Sequence, residues 1–390
     1  MKKVYLDYAA TTPVDKRVLK SMLPYFSIKF GNPSSIHFWG QEARLAVEKA
    51  REKVAKILNC LPEEIYFSGT TTISDNLAIQ GIMRTLRKNG KNHLITSAVE
   101  HHAVLDSCKA LEKEEFKLTI LPVDRYGTVS LQDLEKAITP QTGLVTIMYA
   151  NNEVGTIEPI EEIAKKIQIL KSKIQNLYFH TDAAAAVEYL SLDVKELGVD
   201  LLSLGAHKFH GPKGVGILYV KKGTPISPLT FGGHHERGIW PGTEAVPLIV
   251  GAAEALEIAQ KERKETSERV SKLRDKLIKG ILKKIPGSWL TGHPQKRLPD
   301  IASFVFEGAE GESILLALSD KGIAASSGSA CTSGLLQPSH VLTAMGIPPE
   351  LSHGSIRFSL GKETTTQDIE YVLEVLPKVI SRLRKMAPKI

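Results

Sequence analysis

Apolar runs of strand length alternate along this chain with stretches where apolar residues recur every three or four positions. A helical pattern covers about Gln41 to Leu58, after a loop at Gly31-Asn32-Pro33-Ser34-Ser35. Ile65 to Phe67 reads as a strand leading into a helix with Ile79, Ile82, Met83 and Leu86 on one side, closed by Gly90. Leu94 to Thr96 leads to a helix beginning near Ala103. Leu118 to Val123 leads to Ser130, which suits an N-cap. Leu144 to Ala150 precedes a helix around Ile160 to Leu170, and Leu177 to Phe179 comes next. Val199 to Leu204 and Val215 to Val220 are two further buried runs. This rhythm predicts an α/β fold with a mostly parallel, doubly wound sheet.

A long charged helical pattern runs from about Ala252 to Ile285 and stops at Pro286-Gly287. Beyond it lie expected strands at Ile301–Phe306 and Ser355–Leu360, a helix at Gly311–Lys321 and a terminal helix from Thr366. The arm at residues 1–14 is broken by Thr11-Thr12-Pro13. We expect a large domain over 15–258 and a smaller α/β domain from 1–14 and 259–390, which carries a mobile loop around Cys331. At 390 residues the chain is long enough for both.

Composition narrows the class. Hydrophobic content of 42% and charged content of 24% are ordinary for a globular protein. No run approaches a membrane span, and the start lacks the apolar core of a signal peptide. The net charge of +7 is spread among acids on helical segments, so no membrane or direct nucleic-acid partner is expected. Cys60, Cys108 and Cys331 cannot all pair and lack metal-ligand spacing, which points to a reducing cytoplasm and no metal. Cys108 shares helical spacing with Val104 and Leu111 and reads as core.

In doubly wound sheets, ligands bind beyond the carboxyl ends of the strands. There the chain supplies Ser68-Gly69-Thr70-Thr71-Thr72, Glu100-His101-His102, Asn151-Asn152 and Asp182. Lys208 lies in Ala206-His207-Lys208-Phe209-His210-Gly211-Pro212-Lys213-Gly214, a tight turn between buried strands. Each residue alone has an ordinary reading: a cap, a loop residue, a turn lysine whose head reaches water. Together they suit pyridoxal 5'-phosphate (PLP). A helix start takes the phosphate, a ring stacks on the pyridine, a carboxylate holds its nitrogen protonated and an amine condenses with the aldehyde.

These residues stand in motifs that run nearly end to end: Tyr5-Leu6-Asp7-Tyr8-Ala9-Ala10-Thr11-Thr12-Pro13, Ser74-Asp75-Asn76, Glu100-His101, Asn151-Asn152-Glu153, His207-Lys208, His235-Glu236-Arg237-Gly238, Gly242-Thr243, Ser326–Ser333 around Cys331, and Ser355–Ser359 around Arg357. The chain resembles the cysteine desulfurases of the NifS/IscS type, in the class V aminotransferase group of fold-type I PLP enzymes. The resemblance implies that Lys208 carries the cofactor, Asp182 faces the pyridine nitrogen and His101 stacks on the ring and moves protons. Thr71, Thr72 and His207 would contact the phosphate. Thr243 would reach the neighbouring subunit's phosphate, which implies a homodimer. Asn152 would face cofactor and substrate, and Arg357 would clamp the carboxylate of L-cysteine. On an alternating strand, Arg357 and Ser359 share one face, which could also be a wet one.

Cys331, in a Gly/Ser-rich run, matches the family's nucleophile, which holds sulfur as a persulfide and hands it to acceptors such as an iron–sulfur scaffold or a tRNA-thiolation protein. The chain departs from the family pattern at Ala185 (usually Gln), Gly205 (Ser), Thr70 (Gly), Ile73 (Glu) and Trp240 (Arg). Another PLP reaction, an inactive scaffold of the same fold, and a histidine-built metal site are the alternatives.

Overall fold

The computed structural model describes residues 2–327 and 338–386. Seven strands form the main sheet: β1 Ile65–Ser68, β2 His93–Ser97, β3 Lys117–Leu121, β4 Thr142–Thr146, β5 Tyr178–Asp182, β6 Leu201–Gly205 and β7 Gly216–Val220. Their order is β1-β7-β6-β5-β4-β2-β3. Strands β2 to β6 pair in parallel with their neighbours among themselves. Every residue of β2, β4, β6 and β7 is buried, as expected where helices cover both faces.

Strand β7 runs antiparallel to both β6 and β1. The turn from Ala206 to Val215 is too short for a crossover helix, so the chain must double back. The reversal leaves β1 pointing the same way as β6. The residues after β1, β2, β4, β5 and β6 therefore gather at one edge.

Three elements differ from expectation. The helix after β1 is divided into Thr71–Asn76, a π-helical stretch Leu77–Gly81, and Ile82–Leu86. At Gly81 a Cβ would stand 2.6 Å from Ser227 O, so the wider turn sits where another loop crosses closely. The arm pairs through Val4–Tyr5 with Ile323–Ala324, and Ser288–Leu290 adds an edge strand to Ile301–Phe306 and Ser355–Ser359. Both strands are too short for a periodic pattern to mark them.

The helix Val246–Lys284 joins two apolar clusters. Its first half places Ile249, Ala252 and Leu256 against the main sheet, and its second half places Val270, Leu277 and Ile281 against the three-stranded sheet. The arm makes a second connection. Its Thr12 hydroxyl donates to His207 O (2.9 Å) and accepts from His210 N (2.7 Å), while Thr12 N also donates to His207 O (3.0 Å).

Thr12 is buried, so losing its hydroxyl leaves two backbone groups without that partner. Thr12→Val should lower unfolding free energy by about 1–3 kcal/mol, and Thr12→Ser by clearly less. Urea unfolding of the three proteins checks this; equal stability of Thr12→Val and wild type would contradict it.

Candidate active site

A cavity of about 320 Å³ opens at the gathered strand ends. Each strand delivers one chemical function to it. After β6, a short turn at Ala206–Lys208 carries the lysine inward. Lys208 Nζ donates to Ala9 O (2.6 Å) and Ala10 O (3.0 Å) on the arm. His207, on the same turn, has Nδ1 3.3 Å from Thr11 Oγ1. Burial, then the charges of Lys208 and Lys213, pull its imidazole down to about 4.

Asp182 ends β5 and accepts from Ala184 N at 2.8 Å. Burial pushes its carboxyl up to about 6, against the pull of that hydrogen bond and of the Lys208 charge. Beside it lies Asp75, also fully buried. Burial and the Asp182 charge hold Asp75 well above the usual carboxylate range, offset in part by the approach of the Ser203 hydroxyl. Neither oxygen of Asp75 has a hydrogen-bond partner of good geometry, and Oδ1 lies 3.7 Å from His180 Nε2. His180 is itself clamped between Thr146 Oγ1 (2.8 Å) and Ser203 Oγ (2.9 Å). Burial lowers it to about 3, so the ring is neutral.

His101 caps the helix His102–Glu112, and its Nδ1 accepts from Ala103 N at 3.1 Å. That bond places the proton of the neutral ring on Nε2. Burial, then the charges of Lys208 and His102, lower its pKa to about 4. Next to it, burial pushes Glu100 up to about 8. Glu100 Oε1 accepts from Ser97 Oγ (2.7 Å) and Met148 N (2.9 Å), so it ties two strand ends together.

Thr70, Thr71 and Thr72 line the cavity where the helix after β1 begins. Thr70 is the cap, accepting from Ile73 N. The Thr71 hydroxyl is buried without a partner. A Cβ built on Gly205 would stand 1.9 Å from it. A side chain at 205 and the hydroxyl of Thr71 therefore compete for the same space, a physical reason for glycine there.

Asn152 lines the cavity, and its carbonyl accepts from Arg357 Nη1 at 2.9 Å. Arg357 itself lies behind the lining. Nη2 is 2.9 Å from Asp7 Oδ1, and Nε has no hydrogen-bond partner. Arg357 and Ser359 are both buried, so their shared face is interior rather than wet. Thr243 is exposed and takes no part in the cavity lining. Cys331 lies outside the described residues. Of the other cysteines, burial drives Cys108 above its usual range and Cys60 up to about 12, so neither is a ready thiolate.

Asp75, Glu188 and Asp300 also line the cavity, and burial pushes Asp300 up to about 8. The spacing gave no reason to single them out. Only the quoted Ser74-Asp75-Asn76 motif touched one of them. Among the described residues, no three His, Cys, Asp or Glu side chains are grouped to hold a metal. The donor set instead fits PLP: an amine, a buried carboxylate across the cavity, a neutral imidazole, and an unpartnered hydroxyl at a helix start.

The neutral His180 has a thermodynamic consequence. Its native pKa of about 3 lies below the usual imidazole value, so the unfolded chain takes up a proton that the native ring refuses. This ring makes stability fall as pH drops from about 6.5 towards 3. The stability advantage of wild type over His180→Asn should shrink by up to about 3 kcal/mol between pH 6.5 and 4. Urea unfolding at three pH values reads this; a constant difference would rule it out.

A model of the aminotransferase class-V family matches residues 4–372. The cysteine desulfurase IscS of Dictyoglomus turgidum is 51% identical over 99% of this chain and 97% of its own length. The cysteine desulfurase IscS of Methanosarcina thermophila is also 51% identical, over 99% of this chain and 94% of its own. A solved structure described as a NifS-like protein superposes with a TM-score of 0.91 at 41% identity, covering 98% of this chain and all of its own. The chain therefore belongs to the aminotransferase class-V family and, within it, to the cysteine desulfurases of the NifS/IscS type.

Proposed function

We propose that this chain uses PLP on Lys208 to convert L-cysteine to L-alanine, leaving the sulfur as a persulfide on Cys331. The single observation that carries this reading is the convergence of Lys208, Asp182 and His101 on one cavity at the strand ends. PLP, when bound, supplies an electron sink beside the substrate Cα. Asp182 would hold the proton of its pyridine nitrogen, and Thr71, Thr72 and His207 would hold its phosphate. The Lys208 amine takes the proton from the substrate Cα and returns it later. His101, on the cavity wall, would face the ring and share in proton movement through Nε2–H.

Arg357 and Asn152 hold the substrate carboxylate, with Arg357 steadied by Asp7. The Cys331 thiolate attacks the substrate sulfur. An S–S bond forms, the Cβ–S bond breaks, and its electron pair stays on the substrate fragment, whose Cβ takes a proton. Cysteine and thiol become alanine and persulfide, so no outside oxidant is required. Acceptor proteins, such as an iron–sulfur scaffold or a tRNA-thiolation protein, then take the sulfur in the cytoplasm. Among the described residues, no helix is long and apolar enough to cross a membrane.

The chain acts as a homodimer in this reading. Support comes from a dense set of exposed apolar side chains: Leu23, Phe26, Ile28, Phe30, Ile36 at 93% exposure, and Phe38. So many in one stretch mark a contact surface. The division into residues 15–258 and 1–14 with 259–390 stands likewise as our reading, supported by the two apolar clusters.

Borohydride treatment of the yellow protein should leave a pyridoxyl group on Lys208. A label on Lys213, or colourless protein after reconstitution with excess PLP, would sink the assignment. Cys331→Ser should keep the cofactor spectrum and its response to cysteine, yet make no persulfide and almost no alanine. Wild-type alanine formation by that variant would identify another nucleophile. Sedimentation at micromolar concentration should give a dimer, and a monomer would contradict the homodimer reading.

A further inference from the structure

The edge of the main sheet carries an arrangement that the catalytic reading does not use. Strand β1 is an edge strand, hydrogen-bonded to β7 on one side only. On its open side, Phe67 N donates to Glu236 Oε2 (2.9 Å), and Ile65 O accepts from Arg51 Nη1 (2.7 Å) and from Arg237 Nη2. Arg51 and Glu236 form a two-pronged pair, Nη2–Oε1 at 2.7 Å and Nη1–Oε2 at 2.9 Å. Both are buried. A charged pair thus takes the place of a missing neighbour strand.

The backbone that delivers Glu236 is unusual. Glu236 (φ 45°), Arg237 (φ 56°) and Gly238 (φ 82°) are three left-handed residues in a row, two of them not glycine. Such a run persists only where its surroundings over-determine it. The Arg51 pair, the β1 contacts, and the stacking of Arg237 on Tyr66 at 4.1 Å supply that constraint. The turn continues through Trp240, whose ring lies 3.5 Å from where a Cβ on Gly69 would stand. It then reaches Gly242, whose N donates to His235 Nδ1 at 3.1 Å, and Thr243.

We propose that the Arg51–Glu236 pair is a positioning device that sets the Thr243 loop for the neighbouring subunit's cofactor phosphate. This rests on the homodimer reading above and on the role that the family resemblance implies for Thr243, contact with the neighbouring subunit's phosphate. One carboxylate fastens two things at once. Strand β1 runs into Thr70–Thr72 of the chain's own cavity, and the left-handed turn runs into the threonine lent to the neighbour. Glu236 does not line the chain's own cavity, and it acts through the loop that follows it.

Two mixed dimers, assembled from differently tagged full-length chains, separate the effects. Each has one live site, and its affinity for PLP is read as the borohydride-fixable absorbance during a PLP titration. The first pairs a Lys208→Ala chain with a Glu236→Gln chain, so the live site keeps an intact lent loop. The second pairs a Lys208→Ala/Glu236→Gln chain with a wild-type chain, so only the lent loop is altered. Relative to a Lys208→Ala/wild-type dimer, the second should bind PLP about tenfold more weakly, the effect of losing one hydrogen bond to a charged group.

Unchanged affinity in the second dimer, with sedimentation showing an intact dimer, overturns the proposal. So does a loss confined to the first dimer, because Glu236 would then serve only its own strand. A monomer in sedimentation overturns the homodimer reading itself and is distinct from both. If Glu236→Gln does not fold, Arg51→Lys in the same two dimers gives the same outcomes, because it keeps the charge and loses the two-pronged geometry.

Discussion

The arm's grip on the lysine turn is the constraint on which the rest of the site depends. Thr12 bonds to His207 and His210 on either side of Lys208, and the carbonyls of Ala9 and Ala10 receive the amine. The same arm pairs with Ile323–Ala324 and bridges to Ser359, and it packs Val4 and Leu6 into one apolar cluster and Ala9 and Val14 against the other. Its Asp7 also holds Arg357. The amine, the guanidinium and the cavity between them are therefore referred to one short segment. A lysine in a tight turn would otherwise place its head in water. Here the head is fixed at the strand ends by backbone oxygens from a segment nearly two hundred positions away.

Low polarizability around the cavity floor sets the charge states. His180 lies fully buried between two hydroxyls and stays neutral, and Asp75 is held towards its protonated form next to Asp182. Two anions at that depth would repel each other, and desolvation would penalise both. With Asp75 neutral, Asp182 can be the anion of this buried pair, as the protonated ring nitrogen of the proposed cofactor would require. His101 is kept neutral by the same burial, with Lys208 adding its charge. A cation there would repel both the lysine and the ring.

The edge of the sheet shows how the fold resolves an exposed strand. Where β1 lacks a neighbour, buried charges satisfy its backbone and hold a left-handed turn in place. A charged pair is costly to bury but answers several backbone groups at once, which an apolar cover could not do. The apolar residues between Leu23 and Phe38 are treated in the opposite way and remain exposed.

The β/α rhythm, the helix Phe38–Leu58, the long helix and the strands Ile301–Phe306 and Ser355–Ser359 were legible in the sequence, because apolar periodicity over long segments leaves little choice of element. Residues just past strand ends were legible too, since a parallel sheet gathers those ends. Tertiary structure alone decided the rest. Periodicity carries no strand direction, so the reversal of β7 follows from the length of the lysine turn. Arg357 and Ser359 alternate as a wet face would, yet the arm covers them. Asp75 sits among ordinary helix residues, and only packing against β5 and β6 makes it a buried acid beside Asp182. Gly205 reads along the chain as a lost hydroxyl, whereas in the fold the Thr71 side chain takes up the space a side chain there would need. Each of these depends on what lies across space from a residue, and spacing along the chain does not encode that distance.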